Sequence, residues 1–301
     1  MSHASTERAP AWRLLIQPDA DGAANMATDE ALLDAYLTPQ GRASPPTLRL
    51  YGWNPATLSL GKGQAALRSH DPAYLTAQRL GLVRRPTGGQ AVLHERERTY
   101  CVIGRLDRPP FDVGVLETYA WVSEALRGAI ESLGIPTTTA PRRRSDPADR
   151  GPVCFNVASS HELLHDGRKL VGSAQMRRRQ AFLQHGSIPM FANAQRLGAA
   201  IGTRVDESRI TGLADALGHA PEIPRVDEAL VGGFRDRFDV ELIPGRLSDW
   251  ERQRIEALRC WKYLSTSWTL HGKIGIAERS LAPQALFRSV SSGADPNDST
   301  R

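Results

Sequence analysis

Residues 161–188 read HELLHDGRKLVGSAQMRRRQAFLQHGSI. Asp166-Gly167 at the centre of the first half is a two-residue hairpin turn signal, flanked by strand-like runs over 161–164 and 169–175. Residues 181–188 follow as a third strand, so the stretch reads as an antiparallel meander. Upstream, residues 12–17 read as a strand, and 48–53 and 57–60 as short strands joined by Asn54-Pro55. Asn25-Met26-Ala27-Thr28-Asp29-Glu30 opens a helix running to Leu37, with Asn25 as its cap and acids in its first turn. Val115, Tyr119, Val122, Leu126, Ile130 and Leu133 recur at steps of three and four, and Gly134 and Pro136 stop that helix. Further helices are expected over 226–238 and 248–258. Meandering strands with interspersed helices predict an α+β fold, with a mixed, largely antiparallel sheet and flanking helices, and not a doubly wound parallel sheet. Neither a G-x-x-x-x-G-K-[ST] loop nor a G-x-G-x-x-G loop is present.

The balance of 41% hydrophobic and 24% charged residues over 301 residues is that of a globular protein with one large domain. We expect that domain over 11–245, a helical extension over 246–288, and disordered ends at 1–10 and 289–301. The sequence has no apolar run near the roughly 18 residues of a spanning helix and no secretory signal at its start, which predicts a cytoplasmic protein without membrane association. Cys101, Cys154 and Cys260 are too few and too scattered for a disulfide framework. A net charge of +5 favours acidic partners. The basic stretches lack interleaved aromatics, so nucleic acid is not expected among them.

Four motifs could carry chemistry. In the first, Arg84 and Arg85 end a strand and Pro86, Thr87, Gly88, Gly89 and Gln90 lead to a second strand ending at His94. Paired glycines there let the backbone approach a ligand, although a plain turn with solvated arginines fits the same letters. The second is Cys154, with Arg142, Arg143, Arg144, Arg150, Arg168 and Lys169 around it in sequence. Cationic surroundings favour a thiolate, the form that exchanges acyl groups as thioesters. Cys101 and Cys260 read as core. The third is Lys169, two residues past the hairpin turn, followed by Gly172, Ser173, Ala174 and Gln175, which are small enough to leave room for a ligand. The fourth is His185-Gly186, a pocket lining, a proton-transfer group or a core hydrogen bond. His161 and His165 lack a third ligand partner, so no metal is expected, and Arg177-Arg178-Arg179 reads as a solvated turn able to dock an acidic protein.

In this order the motifs resemble the superfamily of lipoate-protein ligases and octanoyltransferases, which shares a fold with biotin protein ligases. The resemblance rests on Asn25 to Leu33, Leu48 to Trp53, Arg84 to His94, Gly167 to Gln175, and Gln184 to Ser187. Cys154-Phe155, followed fifteen residues later by Lys169, is similar to the arrangement of type M octanoyltransferases. What that resemblance implies is a cysteine that carries the acyl group as a thioester and whose thiol pKa the lysine lowers. It also implies octanoyl-acyl carrier protein as donor, and a lipoyl domain or glycine cleavage H protein as acceptor. Arg85, Thr87, Gly88, Gly89, Gln90, His94, Gly172, Ser173, Gln175, His185 and Gly186 are the substrate-binding residues it implies. No cofactor is required on that reading. An ATP- and Mg-dependent lipoate ligase, tolerant of Cys154→Ala, is the alternative, and a non-catalytic acyl-carrier scaffold a third. About sixty residues after Phe238 are short for the accessory domain of single-chain ligases. Two positions depart from the family pattern: Gln90, where glycine or arginine is usual, and Arg98, where an apolar residue is usual.

Overall fold

The computed structural model describes residues 9–140 and 162–274. Cys154, its arginine neighbours 142–144 and 150, His161 and the tail beyond 274 lie outside the described residues. The chain runs β1 (Ala11–Ile16), α1 (Gly22–Ala35), β2 (Thr47–Tyr51), β3 (Thr57–Leu60), α2 (Pro72–Ala77), β4 (Gly81–Arg84), β5 (Val92–His94), β6 (Glu97–Arg105) and α3 (Val115–Ser132). It continues through β7 (Thr138–Thr139), β8 (Leu163–His165), β9 (Arg168–Lys169), β10 (Gly172–Arg178), β11 (Ala181–Pro189), α4 (Ala194–Ile201) and α5 (Leu213–Leu217). It closes with α6 (Ile223–Phe238), β12 (Glu241–Pro244), α7 (Asp249–Leu258), a π-helical turn (Arg259–Tyr263) and α8 (Thr266–His271).

The main sheet has six strands in the order β10-β11-β6-β2-β1-β12. The pairs from β10 through β2 are antiparallel, whereas β1 lies parallel to both β2 and β12. Both faces are buried, and the alternation of side chains along each strand sorts them into two layers. Leu48, Leu50, Tyr100 and Val102 meet Val122 and Leu126 of α3 and Phe234 of α6 on one side. Tyr51, Cys101, Ile103 and Leu183 meet Met26, Leu32 and Leu33 of α1 on the other. The α+β architecture with a mixed sheet is as the sequence predicts. Two three-stranded sheets, β4-β3-β5 and β7-β8-β9, flank it.

Several local expectations change. Helix α1 begins four residues earlier than the motif suggested, because Asp21 accepts a hydrogen bond from the Ala24 amide and is the true cap. Asn25 lies inside the helix, its amide donating to the Ala20 and Gly52 carbonyls, and Asp29 and Glu30 sit in the helix body, not its first turn. The hairpin at Asp166-Gly167 forms, with φ of 49° and 74° at its two residues. The expected strand over 169–175 is broken: Lys169 ends β9, Leu170 and Val171 turn into the core, and Gly172 opens β10 in the main sheet. Of the three arginines expected in a solvated turn, Arg179 is in the turn and exposed, whereas Arg177 and Arg178 belong to β10. Arg178 bonds Glu30 and Asp34 of α1, and Arg177 reaches the Val113 carbonyl and Thr118, so neither is spare for docking. Cys260 is exposed, not core, while its neighbour Trp261 is buried. The Arg98 departure has a plain physical account: its buried guanidinium forms a two-pronged ion pair with Asp227 of α6, at 2.6 and 2.8 Å.

The C-terminal helices are bolted to the sheet by buried polar groups. Arg84 Nη1 donates to the carbonyls of Gly61, Lys62 and Gln64, and its Nε and Nη2 reach those of Trp268, Thr269 and Leu270. Arg84→Met should therefore cost about 3 kcal/mol or more, because it orphans buried carbonyls on two segments. Chemical denaturation reads this, and an unchanged midpoint would show that the clamp adds nothing.

Glu30 is enclosed by Lys262 at 2.5 Å, Arg178 at 2.7 Å and the Tyr263 hydroxyl. Burial pushes its carboxyl up, but Lys262 and Arg178 outweigh that and bring it down to about 2. A depressed folded pKa contributes stability that is complete above the unfolded value, near 4.3, and is lost as the pH falls toward 2. Melting temperature should accordingly be flat from neutrality to about pH 5 and then fall steeply. In Glu30→Gln that acid slope should be visibly shallower.

Candidate active site

A cavity with about 380 Å³ of empty space, its open mouth included, lies where β10 and β11 meet β2, β3 and α1. Met26, Val92, Ala174 and the rings of Tyr51 and Trp53 supply its apolar surface. Of the expected substrate-binding residues, Arg85, His94, Gly172, Ser173, His185 and Gly186 line it. Gly186 has to be glycine: a Cβ there would stand 2.5 Å from the Tyr100 ring and 2.7 Å from the Gly172 carbonyl.

The remaining expected residues are not among those that line the cavity. Thr87 hydrogen-bonds His185 Nε2 at 2.8 Å. The Gly88 and Gln90 carbonyls accept from Arg85 Nη2, at 2.8 and 2.7 Å, so the glycine loop folds back onto a buried arginine. Gly89 adopts φ of 93°, and its carbonyl packs so closely on Gly61 that a Cβ there would lie 1.9 Å away. Gln175 bonds Gln184 at 2.9 Å. Lys169 is not a surface lysine: its ammonium is buried and meets Glu162 at 2.7 Å. Its carbonyl accepts from the Thr211 amide at 3.0 Å.

Two hydroxyl–histidine–carboxylate chains converge on the cavity. In one, Asp29 holds His185 Nδ1 at 2.8 Å while also accepting from Arg49 at 2.6 Å and the Tyr51 hydroxyl at 2.8 Å. Burial pushes Asp29 up, but Arg49 and then His185 outweigh it, so its carboxyl lies below the ordinary range. Burial lowers His185 more than Asp29 raises it, leaving a neutral imidazole near pH 7. Nδ1–H donates to Asp29, and Nε2 accepts from Thr87. The second chain runs from Ser59 Oγ to His94 Nε2 at 2.8 Å, and from His94 Nδ1 to Glu97 at 2.9 Å. Thr99 and Ser187 donate to the same carboxylate, and the His94 ring stacks on Trp53 at 3.9 Å. Both imidazoles are thus fixed in orientation at the cavity wall.

Sequence reasoning did not single out Asp29, Arg49, Tyr51, Ser59, Trp53 or Glu97 as site residues. A signal was available: Arg49, Tyr51 and Trp53 alternate along one strand and its extension, so all three share a face. Asp29, Cys101 and His185 also offer three ligand atoms within 4.8 Å of one another. They do not fit a metal ion, since both carboxylate oxygens and Nδ1 are committed to each other and to Arg49 and Tyr51, and burial raises the Cys101 thiol well above its ordinary value.

The lipoyl protein ligase A/B catalytic-domain family matches residues 21–235, which span both chains of hydrogen bonds and the cavity. An octanoyltransferase LipM from Kyrpidia tusciae is 39% identical over 273 residues, 85% of this chain and 97% of that one. Another, from Moorella thermoacetica, is 37% identical over 271 residues, 86% of this chain and 98% of the other. Among solved structures, lipoate-protein ligase A bound with ATP superposes with a TM-score of 0.73 at 21% identity, over 88% of this chain and 100% of that one. The bi-partite lipoate protein ligase of Thermoplasma acidophilum gives 0.71 at 20%, over 88% and 98%. At such identities these structures speak for the fold alone. The chain belongs to the lipoyl protein ligase A/B catalytic-domain family. Its activity is that of an acyltransferase, an octanoyltransferase of protein lipoylation.

Proposed function

We propose that the protein takes an octanoyl group from octanoyl-acyl carrier protein onto Cys154 as a thioester and passes it to the lysine amine of a lipoyl domain or of the glycine cleavage H protein. In the first step the Cys154 thiolate attacks the donor thioester carbonyl and the carrier thiolate leaves. In the second the acceptor amine attacks the Cys154 thioester, the amide forms, the thiolate is released and the amine proton is lost. Thioester exchange is nearly balanced and amide formation is downhill, so neither ATP nor Mg is needed.

The observation that carries this reading is the near full-length similarity to octanoyltransferases, joined to an apolar cavity walled by the motifs the reaction needs. Lys169 is the group proposed to favour the thiolate and to steady the tetrahedral oxyanion. His185, neutral and held by Asp29, is proposed to take up the amine proton through the Thr87 hydroxyl bonded to its Nε2. The net charge of +5 favours the acidic surfaces of carrier and acceptor, so salt should weaken both encounters.

The test is turnover with octanoyl-acyl carrier protein and a purified lipoyl domain, with and without ATP. Octanoylation of the domain at equal rates in both conditions supports the transferase. Modification that needs free lipoate, ATP and Mg would make the protein a ligase.

A further inference from the structure

A second cavity, with about 430 Å³ of empty space including its open mouth, adjoins the first, and Ser187 belongs to the walls of both. Leu93, Phe191, Leu197 and Ile210 make most of its surface apolar. Two residues of its wall, Ile210 and Thr211, are tied to the main chain of Lys169 by a strand bridge and by the Thr211 amide. The compartment therefore reaches from the acyl cavity to the backbone beside Lys169. One feature inside it is unexplained by folding: the Thr211 side chain is fully buried, lines the space, and its hydroxyl has no hydrogen-bond partner among the described residues. Leaving a buried hydroxyl unpaired costs about 1–3 kcal/mol, so such a group marks a place where a polar partner arrives.

On the basis of the transferase reading above, we infer that this second compartment receives the pantetheine arm of the acyl donor, with Thr211 hydrogen-bonding an amide of the arm. The acyl chain then lies in the first cavity and the arm in the second. Three observations favour an arm of this chemistry over the acceptor lysine. The surface is mainly apolar, as suits a chain of methylene and dimethyl groups joined by amides. Glu95, the carboxylate in the wall, is already neutralised by Arg196 at 3.0 Å, so the described residues offer no spare anion for an ammonium. Beside the compartment, the exposed Arg96 guanidinium lies over the Phe191 ring at 4.5 Å and makes no ion pair among the described residues, as suits the phosphate that ends the arm.

The experiment compares two soluble donors, octanoyl-pantetheine and S-octanoyl-mercaptoethanol, which carries the same thioester without amides. In Thr211→Val the ratio of kcat/KM for the first over the second should fall about tenfold, the value of one lost hydrogen bond to a buried group, and Thr211→Ser should restore it. Arg96→Ala should in turn remove any preference for octanoyl-phosphopantetheine over octanoyl-pantetheine. An unchanged donor ratio in Thr211→Val, or a rise in KM for the lipoyl domain instead, would overturn the assignment and give the compartment to the acceptor. Absence of ATP-independent turnover by the unmodified protein with either donor would instead remove the transferase reading on which the inference stands.

Discussion

Lys169→Met should lose about a hundredfold to a thousandfold in octanoyl transfer and should also be markedly less stable. The two effects have different origins. Removing a preorganised positive group from a developing oxyanion costs about 2.7–4 kcal/mol of transition-state stabilisation. Stability falls because Glu162 is itself buried and, within the described residues, faces Lys169 at 2.7 Å. Breaking a buried pair from one side costs about 3–5 kcal/mol, part of which the carboxylate recovers by taking up a proton. The double variant Lys169→Met/Glu162→Gln separates the two. It removes both charges, so it should regain most of the melting temperature and none of the rate. A pH profile adds a readout that packing alone would not move: if Lys169 lowers the Cys154 thiol as proposed, the residual rate without it should climb through about 8.5, the ordinary thiol value. Recovery of rate along with stability in the double variant would reduce Lys169 to a structural role.

Asp29→Ala should be among the most destabilising single changes in the chain. Asp29 is wholly buried and accepts from Arg49, Tyr51 and His185 together. Its loss leaves the guanidinium of Arg49, 2% exposed, as an uncompensated charge in the core, again about 3–5 kcal/mol. At about 2–4 °C per kcal/mol, the melting temperature should drop by roughly 10 °C. Asp29→Asn keeps the shape, so its fall should be smaller, but it frees the His185 ring to turn and should slow transfer even where folding survives. Unfolding by heat and by denaturant reads the first effect. A loss below about 1 kcal/mol would mean that the network does not hold the sheet to α1.

The sequence displays the local parts of this architecture plainly. The three- and four-residue apolar steps from Val115 produce α3, and Asp166-Gly167 produces a hairpin with both residues at positive φ. Ser248, three residues before Glu251, caps α7 as a capping box should. What the letters do not display depends on distant partners. His185 and Asp29 stand 156 positions apart, so their bond is invisible to any window along the chain. The break between β9 and β10 follows from Leu170 and Val171 both entering the core, a decision made by α3 and the sheet and not by local propensity. Cys260 and Trp261 look alike as apolar neighbours, yet one helical step points them in different directions. Asn25 reads as a cap because its residue type favours caps, whereas its amide closes the gap between α1 and the Gly52 carbonyl.

The central claim is that the acyl group passes through Cys154. The most direct measurement is intact mass after mixing the protein with octanoyl-acyl carrier protein in the absence of ATP, for the unmodified chain and for Cys154→Ala. One octanoyl adduct, labile to hydroxylamine, is expected on the unmodified chain and none on the variant. An adduct of the same size on Cys154→Ala would contradict it, as would a lipoyl domain that this variant octanoylates at the unmodified rate.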